Sequence, residues 1–328
     1  MTQEDAVLDA WIDKQLEKGY ISPSMFPYAS SFFFIKKKDG KLHHVQDYRI
    51  INSYTVRNQY LLPLISNLIR NLGGARLYTK FDVQQGYNNI CMKEENTHKA
   101  AFKMRRGLYQ PNVMMFGLCN SPATFQSFMN DRYQCAISKH EALGTFICIY
   151  MDNIAIATKV LGTPEEVRAA HVTTISDVLV VAHDNNLYFK LEKCVFCASS
   201  IDYLGVILEG GVTRMDPIKV KGIRNWLTPQ TIKDVRSFLG FCNFYHPFMK
   251  GFSAVACPLN ELMRKGIEWK WGNPQQQAFK TLKCCVTTEP ILTHPDPTKQ
   301  YTLEVDALGF TLGAVLSQRG SDWQVPPY

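Results

Sequence analysis

One stretch restricts the possible folds more than any other: Phe146-Ile147-Cys148-Ile149-Tyr150-Met151-Asp152-Asn153-Ile154-Ala155-Ile156-Ala157. Two apolar runs rich in Ile or aromatic residues flank the polar pair Asp152-Asn153. Each run reads as a strand. Asp and Asn both tolerate the left-handed backbone of a two-residue hairpin turn. The expectation is a buried antiparallel hairpin that turns at Asp152-Asn153. Taken alone, this is a hairpin with a polar tip. A carboxylate far upstream, in the same kind of setting, opens another reading.

That carboxylate is Asp82, in Arg76-Leu77-Tyr78-Thr79-Lys80-Phe81-Asp82-Val83. Period-2 alternation puts Leu77, Thr79, Phe81 and Val83 on one strand face and Tyr78, Lys80 and Asp82 on the other, polar one. Asp82 at a strand end is a turn or cap residue if it acts alone. With Asp152 on a paired strand it becomes half of a carboxylate pair. Such a pair suits Mg²⁺, which takes oxygen ligands from protein and from substrate phosphates. Two such ions activate a 3′-hydroxyl and stabilise a leaving pyrophosphate.

The surrounding chain reads as mixed helix and strand. Asp5 to Lys18 forms a helix ending at Gly19. Ser31 to Val45 is a hairpin with a basic tip, Lys36-Lys37-Lys38, and an Asp39-Gly40 turn. The lysines suit either a solvated tip that discourages edge pairing or a cationic flap over phosphates. Pro63 to Leu72 is a helix stopped by Gly73-Gly74. Ser121 is the expected N-cap, and Pro122 the first residue, of a helix to about Tyr133. Thr163-Pro164-Glu165-Glu166 is a capping box. Tyr203 to Leu208 leads into a turn at Glu209-Gly210-Gly211. Helices follow at Lys219–Trp226, from Thr231, at Leu259–Lys265 and from Asn273 to Val286. The strands Tyr301–Asp306 and Thr311–Ser317 close the pattern.

The net charge of +7 leans toward a polyanionic partner. No apolar run approaches ~18 residues, so no membrane partner is expected. Ten scattered cysteines without a secretory signal suggest reduced thiols and a cytoplasmic or nuclear setting. Cys194-x-x-Cys197 has metal spacing, but no second pair follows, so no zinc site is expected.

The ordered motifs Phe34-Ile35-Lys36-Lys37-Lys38-Asp39-Gly40-Lys41, Val45-Gln46-Asp47-Tyr48-Arg49, Pro63-Leu64-Ile65, Phe81-Asp82-Val83 with Gly86-Tyr87, Phe116-Gly117-Leu118 with Ser121-Pro122-Ala123-Thr124-Phe125-Gln126, Tyr150-Met151-Asp152, Lys190-Leu191-Glu192-Lys193-Cys194, Tyr203-Leu204-Gly205 and Ser237-Phe238-Leu239-Gly240 carry a family resemblance. From about residue 5 to its last residue, the chain resembles the reverse transcriptase of gypsy-type long-terminal-repeat retrotransposons. The resemblance implies an α+β right-hand polymerase with fingers, an antiparallel palm sheet and a thumb, followed by a truncated RNase H-like segment. The implied divisions are an N-terminal helix and lead-in (1–30), fingers and palm (31–212), thumb and connection (213–290) and an incomplete RNase H-like domain (291–328).

The resemblance also implies roles. Asp82 and Asp152 bind two Mg²⁺ ions, with Mn²⁺ as an alternative. Lys37 and the position of His43 meet the nucleotide from the fingers. Tyr87 lies beneath the sugar and excludes a 2′-hydroxyl, which disfavours an RNA-synthesising viral polymerase. Gln126 and Lys190 serve the nucleotide, and Lys190 or Lys193 helps pyrophosphate leave. Gly117, Ser121 and Pro122 hold the template, and Leu204 and Gly205 the primer. Asp306 is the first metal ligand of the RNase H-like segment. The implied partners are an RNA or DNA template with its primer, and deoxynucleoside triphosphates.

Three positions depart from the family pattern. Asn153 stands where a second hairpin aspartate is usual; an amide oxygen ligates Mg²⁺ without bringing charge, so impaired polymerisation is expected. His43 stands where an arginine is usual, and neutral His cannot fork onto phosphate. His246-Pro247 stands where a basic pair is usual, and proline ends or kinks a helix. The RNase H-like segment shows only Asp306 of its carboxylates. These features suggest a fragment of a decayed element or a truncated gene: an impaired RNA-directed DNA polymerase or, as the alternative, an inactive relic that at most binds nucleic acid.

Overall fold

The computed structural model describes residues 3–36, 42–246, 249, 251–287, 292–293, 300–308 and 311–318. Its centre is a four-stranded antiparallel sheet in the order Thr145–Tyr150, Asn153–Thr158, Leu77–Asp82, Val195–Ala198. The apolar runs of residues 146–157 are thus two adjacent strands, as expected. Their link is different: Tyr150 pairs with Asn153, so the turn is Met151-Asp152. Asn153 is the first residue of the second strand, not half of the turn.

Side-chain size sorts the two faces of this sheet. Ile147, Ile149, Ile154, Ile156, Phe81 and Val83 point into one core, which the long helices Ser121–Glu141 and Pro164–Asp184 cover. Cys148, Ala155, Ala157 and Tyr78 point into another core. The small alanines leave room there for a meander and a group of helices to approach. The expected polar face of the Leu77 strand is therefore covered rather than open. Tyr78 is buried, and Lys80 Nζ reaches Asp202 of the meander at 2.7 Å. Only the strand end, at Asp82, is left for chemistry.

The meander has the strands Ser200–Tyr203, Val206–Glu209 and Val212–Met215. It turns at Leu204-Gly205 as well as at Gly210-Gly211, both with positive φ throughout. The sequence reading finds only the second of these turns. Beyond it, the helices Pro217–Arg224, Ile232–Asn243, Phe252–Glu261 and Asn273–Thr287 pack their apolar faces together. The Phe252 helix runs through Pro258, although the sequence favours a later start; burial of Ala256 and Leu259 holds it. Both capping boxes form, at Thr163 with Glu166 and at Thr231 with Asp234.

Two other boundaries move. The first of these helices is Ile65–Leu72, beginning after Pro63. The Ser121 helix extends to Glu141, with Asn120 as its N-cap. Ser121 caps nothing: its Oγ donates to the carbonyl of Met115 at 3.0 Å. At the N-terminal side, the helix Gln3–Glu17 lies on a small sheet of Ile21–Pro23, Gly107–Pro111 and Phe102–Met104. Phe32–Lys36 pairs with Leu42–Gln46 as the expected hairpin, and Tyr301–Leu308 pairs with Thr311–Gln318.

Candidate active site

Backbone pairing brings the two carboxylate positions to the same end of the sheet. Asp82 stands opposite Asn153 in the ladder, and the N–H of Val83 donates to the carbonyl of Asp152 at 2.7 Å. Gly86 lies against this turn. A Cβ there would sit 2.9 Å from Cζ of Phe125 and 3.5 Å from Cβ of Asp152, so close approach, not φ, requires glycine.

Met151 takes φ +56°, a conformation that costs a side-chain-bearing residue about 1–2 kcal/mol. Gln126 holds it. Gln126 Oε1 accepts from the Met151 N–H at 2.7 Å, and its Nε2 donates to the carbonyl of Ile149 at 3.1 Å. Gln126 is fully buried. Its amide faces the turn and so positions Asp152 from behind. A glutamine between Phe125 and Met129 on the buried face of a helix was the signal for such a role.

Asp82 is 8% exposed. Its carboxylate accepts from Lys190 Nζ at 2.6 Å and Lys193 Nζ at 3.2 Å, and the Lys190 N–H donates to the Asp82 carbonyl. Burial pushes the Asp82 pKa up, but hydrogen bonds and charge from the two lysines outweigh it and hold the carboxyl below its ordinary value. Lys190 is thus seated on the Asp82 carboxylate. Asp152 Oδ1 accepts from Asn153 Nδ2 at 3.1 Å.

Among the described residues no cluster of three or more His, Cys, Asp or Glu side chains could hold a metal. The donor set here is two carboxylates and one amide oxygen. That chemistry fits Mg²⁺ or Mn²⁺ bound jointly with substrate phosphates, and does not fit a cage built from protein alone.

The Tyr87 ring lies between Phe116 and Phe125, with centroids 4.7 and 5.6 Å away. Burial raises the Tyr87 pKa, and the nearby Asp152 and Tyr150 add to the shift. These aromatic rings, Gly86, Met151 and Asp152 line one small pocket, in which Phe116 is a member that motif reading alone did not single out. Gly117, at φ +95°, packs near the Tyr48 ring, and its carbonyl accepts from Asn52 Nδ2 at 2.8 Å. Pro122 occupies the first turn of the Ser121 helix.

Leu204-Gly205 is joined to the sheet through its neighbour Tyr203, whose hydroxyl donates to the Cys148 carbonyl at 3.3 Å. Lys37 and Pro247 lie outside the described residues, as do the side chains of His43 and Asp306. The backbone of His43 pairs with Ile35, and that of Asp306 with Gly313.

Comparisons with known proteins agree with this geometry. Residues 35–208 match the family model described as reverse transcriptase (RNA-dependent DNA polymerase). Residues 271–328 match the RNase H-like domain found in reverse transcriptase; that match takes in the Asn273–Thr287 helix, which the sequence reading assigns to thumb and connection. The Tf2-3 and Tf2-7 transposon polyproteins of Schizosaccharomyces pombe are each 34% identical over 312 residues. The match covers 95% of this chain but only 22% of either polyprotein.

Among solved structures, a foamy viral protease-reverse transcriptase in complex with an RNA/DNA hybrid superposes with TM-score 0.75 at 18% identity, over 100% of this chain and 42% of that one. Another, in complex with dsDNA, gives 0.77 at 20% identity, over 98% of this chain and 64% of that one. The fold is therefore that of retroviral reverse transcriptases, with an RNase H-like segment in its C-terminal part. With the family model spanning more than half its length, the chain belongs to the reverse transcriptase family.

Proposed function

We propose that this chain extends a DNA primer on an RNA or DNA template by nucleotidyl transfer, and that Asn153 slows it. The observation carrying the proposal is the ladder that sets Asp82 opposite Asn153 and ties Val83 to Asp152. Together with substrate phosphates, Asp82, Asp152 and the Asn153 amide oxygen would hold two Mg²⁺ or Mn²⁺ ions, which lower the pKa of the primer 3′-hydroxyl and neutralise the leaving pyrophosphate. Tyr87, braced by Phe116 and Phe125, limits the space beneath the sugar. Lys190 and Lys193 leave Asp82 as the triphosphate arrives and donate to its departing oxygens. Gly117, Ser121 and Pro122 shape the template side, and the Leu204-Gly205 turn grips the primer. In this reading fingers and palm span 31–212 and the thumb follows from 213.

A second reading is an inactive polymerase fold that still binds nucleic acid. It is favoured by the same carboxylates being engaged within the protein: Asp82 by two lysines and Asp152 by the Asn153 amide. Primer extension on an RNA template, with Mg²⁺ and with Mn²⁺, separates the readings. The native chain is expected to extend slowly and Asn153→Asp roughly ten- to a hundredfold faster, about 1.4–2.7 kcal/mol of barrier. Equal, high rates for both would remove Asn153 as the cause of impairment. Salt-dependent binding of primer-template with no extension by either chain would favour the binding-only reading.

A further inference from the structure

A file of hydrogen bonds leads from the protein surface to the turn that carries Asp152. The Met151 N–H donates to Gln126 Oε1 at 2.7 Å, Gln126 Nε2 donates to Asn130 Oδ1 at 2.9 Å, and Asn130 Nδ2 donates to the Tyr60 hydroxyl at 2.7 Å. The direction of this file is fixed at its inner end. A backbone N–H can only donate, so Gln126 must present its oxygen to Met151 and its nitrogen outward. Gln126 Nε2 also serves the Ile149 carbonyl, an obligate acceptor, at 3.1 Å. Asn130 must then accept with its oxygen and donate with its nitrogen. Tyr60 therefore receives a hydrogen bond and keeps its own O–H proton free to donate away from the protein.

Tyr60 sits in a segment without helix or strand, residues 55–64, fastened to the start of the Ser121 helix by amides. The Asn58 N–H donates to Asn120 Oδ1, and Asn120 Nδ2 donates to the Val56 carbonyl, each at 2.9 Å. Around it large apolar side chains face solvent: Tyr54, Val56, Leu61 and Leu64 are 67–89% exposed. Arg57 is the only charged residue from 54 to 64, and no carboxylate occurs from Arg49 to Phe81. An aromatic and apolar surface with a cation, and without acidic groups, suits an unpaired nucleic-acid strand: bases stack, and the phosphates meet no repulsion.

We infer that Tyr60 and Asn130 are positioning residues that couple a template strand lying on residues 54–64 to the Met151-Asp152 turn. An acceptor on that strand, a phosphate or base oxygen, takes the outward Tyr60 proton. That bond strengthens Tyr60 as acceptor for Asn130, and the polarisation passes down the file to Met151. The strained turn is then held most firmly when template is in place. The inference rests on the polymerase reading for its template, but the file itself exists in the free protein and is tested there.

Hydrogen exchange of the Met151 amide is the readout. In the free protein, Tyr60→Phe and Asn130→Ala are expected to speed it roughly three- to tenfold, the effect of one lost hydrogen bond. Gln134→Ala, one turn along the same helix and bonded to Ser138, is the control and should leave it unchanged. Adding a DNA primer annealed to an RNA template with a single-stranded overhang should slow Met151 exchange in the native chain and not in Tyr60→Phe. Exchange in Tyr60→Phe and Asn130→Ala equal to the control overturns the file as a coupling. Equal protection by primer-template in native and Tyr60→Phe, or none in either, overturns the strand-sensing role. The expected exchange pattern without any primer extension would sustain the coupling while removing the polymerase reading.

Discussion

At the scale of single residues, the candidate site is a balance of four charges and one amide. Asp82 and Asp152 bring two negative charges, and Lys190 and Lys193 bring two positive ones within 3.2 Å of Asp82. An aspartate at position 153 would tip the sum negative; Asn153 leaves it neutral and donates its nitrogen to Asp152. A divalent cation then has little net field to draw it in. Replacing one ammonium should help: Lys193→Met is expected to tighten Mn²⁺ binding to the nucleotide-free chain roughly three- to tenfold, given the screening at this partly exposed lysine. Titration followed by electron paramagnetic resonance reads this directly, and unchanged or weaker binding would count against the charge-balance account. The same lysines make Asp82 a stabilising group above the ordinary carboxylate pKa. That stability is lost as pH falls through the lowered folded value.

At the scale of elements, the hairpin was legible and its turn was not. The apolar runs on either side of Asp152 specify two strands, and their alternation of Ile with Ala specifies two different faces. The polar pair Asp152-Asn153 looked like the link because Asp and Asn suit turns. The ladder instead ends on Tyr150 and Asn153, and Met151 enters the turn despite its side chain because Gln126 holds its N–H. The placement of Gly86 was visible as a glycine beside Tyr87, but its reason lies in the Phe125 ring brought there by the Ser121 helix. Gly86→Ala should cost about 1–3 kcal/mol, since a packed ring must move, and should lower activity by displacing Asp152. Thermal unfolding measures the first and primer extension the second; a fully stable Gly86→Ala chain would show that the ring has room to yield.

At the scale of the whole molecule, the sheet is held between two cores, and one buried histidine fastens it to a helix. His171 is fully buried; its Nε2 meets Thr79 Oγ1 and its Nδ1 meets Thr158 Oγ1, both at 2.8 Å. Burial lowers its pKa to about 4. The unfolded chain, with an ordinary histidine, takes up a proton near pH 6.5, so between these values unfolding binds protons and stability drops as the pH is lowered. The contribution is full above pH 6.5 and is lost on the way down to pH 4. From pH 7 to pH 5 the loss is about 2 kcal/mol. Urea unfolding of the native chain and of His171→Gln at both pH values measures it. A native chain whose pH dependence matches that of His171→Gln would show that His171 contributes none of the loss.

The sequence by itself determined which residues are the candidates for the chemistry and in what order: Asp82, Tyr87, Asp152, Asn153 and Lys190 all lie in short motifs whose residue types suit their proposed roles. It also determined most strands and helices, because burial periodicity and capping residues act over a few positions. Only the tertiary structure decided what those residues touch. That Lys190 and Lys193 both seat on Asp82, that the Gln126 amide holds the Met151-Asp152 turn, and that the polar face of the Leu77 strand is covered by a meander all depend on segments far apart in sequence. Local propensity has no access to such contacts, because they are set by the packing of two cores against one sheet.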